Sequence, residues 1–84
     1  MEFTPMTCAI NPMRKAATLK SIGERVAKLR RERSLTQEQL AESAGVSRNH
    51  IADIELGTRN TGIWSFVLLA RALGVTVSEL LRGF

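Results

Sequence analysis

The chain has 84 residues, which is one domain at most and too little to enclose a large active site. Hydrophobic residues make up 44% and charged residues 24%, proportions that exclude a disordered chain and fit a globular one. The net charge of +4 suits an anionic partner but also fits any small soluble domain, so charge alone does not choose nucleic acid.

Residues 1–20 carry Pro5, Pro12 and three methionines without a clear hydrophobic period, and are read as a flexible N-terminal arm. Cys8 is the only cysteine, so no disulfide can close within the chain, and a reduced, cytoplasmic protein is expected. No run approaches the roughly 18 apolar residues of a membrane span. Arg14 and Lys15 follow the weakly apolar start rather than precede it, which does not match a signal peptide.

Residues 21–84 are punctuated as a series of short helices. Ser21-x-x-Glu24, Thr36-x-x-Gln39 and Thr76-x-x-Glu79 each match the capping box, in which the hydroxyl accepts from the third helical amide and the acid or amide side chain reaches back. Ser47 and Thr61 are further N-cap candidates. Gly45, Gly57 and Gly74 stand where helices should stop, because glycine enters the left-handed conformation freely. The first helix is predicted from about Ile22 to Arg33, with Ile22, Val26 and Leu29 on one face. The second runs from about Gln37 to Ala44 and buries Leu40, Ala41 and Ala44. The third, from about Arg48 to Glu55, buries Ile51 and Ile54. The fourth, from about Gly62 to Leu73, turns Ile63, Phe66, Leu69, Ala70 and Leu73 inward. The fifth is short, about Val77 to Leu81. No segment shows sustained alternation between turns, so strands are not predicted.

The stretch Thr36–Gly57, TQEQLAESAGVSRNHIADIELG, meets the steric needs of two helices crossing steeply over a short turn. Ala41 is small where the helices approach, Gly45 makes the turn, Val46 fills the gap behind it and Ile51 anchors the second helix. With Gln37, Leu40, Ser47, Glu55, Gly57 and the C-terminal LARALGVTVSELL, these residues make the chain resemble the lambdoid phage repressor and Cro (XRE-type) helix-turn-helix family over about Ser21 to Gly83. The resemblance implies an all-α, five-helix lambda-repressor-like domain. It also implies that the helix from Ser47 to Glu55 enters the major groove while the preceding helix lies over the DNA backbone. The arm has no counterpart in that pattern.

Residue chemistry agrees with this placement. With Ile51 and Ile54 inward, Arg48, Asn49, Ala52 and Asp53 must face away. Arg48 offers a fork for guanine O6 and N7, and Asn49 can pair with adenine N6 and N7. Asp53 either accepts from a cytosine amino group or holds Arg48. His50 lies at the edge of the face, where contact with DNA and plain solvation are equally open; a lone histidine gives no metal site. Contacts to the DNA backbone are assigned to Gln37 and Ser47 near helix N-termini, and to Arg59 and Asn60 by resemblance. The resemblance further implies that Arg30 and Glu55 pair, tying the first helix to the third. Trp64, Val67 and Leu68 form a second apolar stripe on the fourth helix. That stripe is assigned to a homodimer interface which Val77 and Phe84 could extend.

The function expected is a sequence-specific transcription regulator binding double-stranded DNA as a homodimer on palindromic operators, with no cofactor, metal, membrane or small-molecule substrate. The phrase GTRN before the fourth helix resembles restriction-modification controller proteins. An autoregulating antitoxin, or an interaction module that never meets DNA, is the alternative. Arg48, Asn49 and His50 on the exposed face argue against the module. An enzyme is excluded by the lack of any nucleophile beside a base.

Overall fold

The computed structural model describes residues 12–84, so the first part of the expected arm, with Cys8, lies outside the described residues. The helices are α1 (Pro12–Glu32), α2 (Gln37–Ala44), α3 (Arg48–Leu56), α4 (Ile63–Leu73) and α5 (Val77–Leu80). No strand occurs among the described residues.

Two of the three expected capping boxes start helices. Thr36 Oγ1 accepts from Gln39 N at 3.0 Å and Gln39 Oε1 accepts from Thr36 N at 2.9 Å. Thr76 and Glu79 repeat the arrangement at 3.0 and 2.9 Å. The backbone amide of Thr76, and then its hydroxyl, hold the Glu79 carboxyl below its ordinary range. The Ser21 box is different. α1 already begins at Pro12, so Ser21 is an exposed residue within a continuous helix, and the expected boundary after residue 20 is not a break in secondary structure. Proline at the first helical position loses no hydrogen bond, and Lys15, Ala16, Ala17, Leu19 and Lys20 are good helix formers. Thr61 is not a cap either. Gly62 takes that position without a side-chain bond, and α4 starts at Ile63.

The first four helices end by one device. After α2, Gly45 at φ +75° lets Val46 N reach Ala41 O at 3.0 Å while Gly45 N reaches Glu42 O at 3.3 Å. The same pair of bonds closes α3 at Gly57 and α4 at Gly74. α1 ends identically, with Leu35 N on Arg30 O and Ser34 N on Arg31 O, but its left-handed residue is Ser34 at φ +56°. These are Schellman closures, in which an apolar residue just past the turn packs back on the helix. Leu35, Val46 and Val75 fill that place against the core.

The core is Val26, Leu40, Ala41, Ala44, Ile51, Ile54, Leu69, Ala70, Leu73 and Leu80, contributed by every helix. α1 lies across α3, α2 packs on α3 and α4, and α5 closes against α4 and α1. Phe66 is half-buried as an inward residue of α4, but Ile63 is not inward: it is 68% exposed. It stands at the first position of α4, one turn before Phe66, where the other helices leave it uncovered. Arg25 fastens the C-terminal end. Its guanidinium donates to the carbonyls of Leu80 and Arg82 and lies 4.6 Å from the centre of the Phe84 ring. Phe84 is thus engaged with α1 of its own chain.

The crossing of α1 over α3 depends on Gly23. A Cβ there would collide with the carbonyl oxygen of Ile54 and stand 2.6 Å from that of Glu55. Backbone cannot yield as a side chain tip does. A glycine in a helix interior costs about 1 kcal/mol relative to alanine, which this close approach offsets. Gly23→Ala should therefore destabilise the domain by about 1–3 kcal/mol, although alanine is the better helix former. Urea unfolding measures this, and a variant as stable as the parent would show that α1 and α3 do not approach so closely.

Candidate nucleic-acid interface

α2, the Gly45 turn and α3 form the helix-turn-helix unit, and what fixes its orientation is an ion pair. Arg30 Nε donates to Glu55 Oε2 at 2.7 Å and Nη2 to Oε1 at 3.1 Å. The third nitrogen, Nη1, donates to the Leu35 carbonyl at 2.8 Å. Gln37 Nε2 adds a bond to Glu55 Oε1 at 2.9 Å. α1, the loop after it, α2 and α3 thus meet at one ion pair. The two side chains are only 13% and 8% exposed. The hydrogen bond to Glu55 raises the Arg30 pKa above its ordinary value, against the opposing effect of burial, so this cation stays charged at any accessible pH.

With Glu55 turned to Arg30 and Ile51 and Ile54 in the core, the outward stripe of α3 is Asn49, Ala52, Asp53 and Leu56, at spacings of three and four. Arg48 and Asn49 are exposed. Ser47 caps α3, its Oγ accepting from His50 N at 3.1 Å, and its hydroxyl proton is left to donate. His50 is half-buried with Nε2 3.5 Å from Thr61 Oγ1, a link to the α3–α4 loop that sequence spacing does not disclose. The partner of Asp53 is Arg59, Nη2 to Oδ2 at 3.4 Å, and not Arg48. Thr58 donates from N and Oγ1 to the Asp53 carbonyl at 3.0 and 3.3 Å, which folds the loop bearing Arg59 and the exposed Asn60 back along α3. Gln37 is half-buried and gives one of its two Nε2 hydrogens to Glu55, which leaves the other hydrogen and the amides at the start of α2 to meet phosphate.

Leu56 was not among the expected site residues. It is 68% exposed and extends α3 one residue past the expected end. Its spacing of seven from Asn49 places it on the same stripe, a signal that the helix boundary concealed. A second exposed surface lies on α4. Trp64 is 64% exposed beside Ile63, while Val67 and Leu68 on the next turn are half-buried. Leu68 and Val77 also touch the core. Among the described residues no group of His, Cys, Asp and Glu could hold a metal ion, and no helix is long and apolar enough to cross a membrane.

The family model for helix-turn-helix proteins matches residues 26–80. The chain belongs to this family of transcription regulators. The immunity repressor protein of Bacillus phage phi105 is 43% identical over 60 residues, 71% of this chain and 42% of that protein. This chain therefore spans less than half of the phage repressor. The control protein C.SmaI of Serratia marcescens is 38% identical over 60 residues, 71% of each chain. Among solved structures, the restriction-modification controller protein C.AhdI from Aeromonas hydrophila is 36% identical with a TM-score of 0.75, covering 76% of this chain and 97% of that one. The family-model match begins at Val26, so the first two thirds of α1 lies before it.

The Arg30–Glu55 pair leads to a stability prediction. Glu55→Gln strands a largely buried guanidinium and should cost roughly 2–3 kcal/mol, somewhat below the loss for a fully buried pair. Replacing both partners by apolar residues, Arg30→Met with Glu55→Leu, should cost less than Glu55→Gln alone, because no charge is left uncompensated. Urea unfolding of the two variants checks the order; a double variant weaker than the single one contradicts it.

Proposed function

We propose that this protein is a sequence-specific DNA-binding regulator of transcription that acts as a homodimer on palindromic operators. The observation that carries the reading is the outward face of α3. Its N-terminal part begins with two exposed polar side chains suited to bidentate base recognition, and the helix is held from behind by Arg30 and Glu55. Arg48 and Asn49 read bases, with Ala52 and Asp53 deeper along the stripe and His50 at its edge. The amides at the Gln37 end of α2, the Ser47 hydroxyl, Arg59 and Asn60 meet phosphates. A controller-type regulator is the favoured form, because this chain covers 97% of C.AhdI and 71% of C.SmaI, proteins whose names assign them that role.

Arg48→Ala should cost about 1–3 kcal/mol in specific binding and relax preference at one base pair per half-site. Competition binding against single-base variants of a selected duplex measures this. An unchanged sequence profile would remove Arg48 from base readout.

Dimerisation follows from the length of DNA that must be read. One helix-turn-helix covers too few base pairs to find a unique site, and a two-fold dimer sets its reading helices about 34 Å apart, one turn of DNA. The exposed Ile63 and Trp64, continued by Val67 and Leu68, are the surface assigned to the axis; Val77 and Phe84, packed within the chain, are at most its margin. Since Leu68 also supports the core, Trp64 is the better position to test. Trp64→Glu places like charges at the axis and should give a folded monomer with much weaker operator binding. Sedimentation with circular dichroism decides it: a folded Trp64→Glu protein that remains dimeric would place the interface elsewhere.

A further inference from the structure

We propose that Asp53 and Arg59 act as one unit that selects a cytosine or an adenine, through its exocyclic N4 or N6 amino group, over guanine or thymine on the strand that the second turn of α3 faces. The proposal rests on the DNA-reading role given above to α3. Asp53 is the one acidic residue on the outward stripe of that helix, four residues after Asn49. An ionised carboxylate is an acceptor only. Set against the floor of the major groove it accepts from an amino group, and it repels guanine, which offers N7 and O6, and thymine, which offers O4.

A bare carboxylate on this face would also repel every phosphate nearby, and Arg59 answers that cost. The Gly57 closure and the two Thr58 bonds to the Asp53 carbonyl bring Arg59 back until Nη2 lies 3.4 Å from Asp53 Oδ2. Side-chain exposures of 48% and 41% make this a weak contact for stability. Its effect is on charge and position. Arg59 cancels the net charge of Asp53 towards the DNA backbone and engages Oδ2, leaving Oδ1 as the acceptor for the amino group. Arg59 is thus a positioning residue for Asp53, and not simply one more phosphate contact. The two roles differ in what mutation does. A phosphate contact contributes equally to all sequences and independently of Asp53, whereas a positioning residue changes both the profile and its coupling to Asp53.

The test is selection of bound duplexes from a random pool by wild type, Asp53→Asn, Arg59→Gln and the double variant, followed by competition binding at several salt concentrations. The three variants are surface changes whose folding circular dichroism verifies. Asp53→Asn should lower discrimination at one base pair per half-site by about tenfold and strengthen binding to unrelated DNA. Arg59→Gln should weaken binding to all DNA and alter discrimination at that same base pair. Its cost should shrink severalfold in the Asp53→Asn background, where there is no charge left to cover. A sharp wild-type profile that neither single variant changes, or losses that simply add, would overturn the pairing while leaving the reading role of α3 intact. A wild-type protein that selects no sequence would overturn both.

Discussion

Arg30 holds the structure at the point where its pieces converge. Two of its nitrogens close on the Glu55 carboxylate, a third takes the carbonyl of Leu35, and Gln37 shares the same carboxylate. Without this junction the core side chains fixing the rotation of α3 would be Ile51 and Ile54, two aliphatic contacts on a nine-residue helix that determine it weakly. Rotation matters because the outward stripe is narrow. A helix turned by one residue position, 100°, would withdraw Asn49 and Asp53 and present core residues instead. Gly23 serves the same end from the other side, since it lets the backbone of α1 come down on the last carbonyls of α3.

Much of this was legible in the sequence because caps act over four residues and need no tertiary context. The Thr36 and Thr76 boxes and the glycines at 45, 57 and 74 mark helix ends that the structure forms. The Ser21 box shows the limit of the same argument. A capping signature starts a helix only if the residues before it cannot continue one, and Pro12 followed by lysines and alanines can. Ser34 ends α1 in the left-handed conformation with no glycine to announce it. A side chain is tolerated there because Arg30 and Leu35 pin the turn from both sides.

Packing was less legible than punctuation. Periodicity places Ile63 on the apolar face of α4 but cannot say how far the neighbouring helices reach, and they leave it uncovered. Gly23 looks unremarkable in sequence, since its meaning is a distance to another helix. The partner of Asp53 was undecided for the same reason: six residues separate it from Arg59, and only the reversal at Gly57 brings them together. Leu56 was concealed by a helix end set one residue early, and it leaves an apolar group in line with the polar residues of the stripe.

The geometry therefore divides the molecule into a rigid junction and two exposed surfaces, the stripe of α3 and the apolar start of α4. The central claim is that the first of these surfaces meets DNA. A nuclear magnetic resonance titration of the labelled protein with a selected duplex tests it most directly. The account predicts that the largest amide shifts fall in residues 47–53 and 58–60 and at the start of α2, with the core helices moving little. Shifts confined to α4 and α5, with the amides of α3 unmoved, would contradict it.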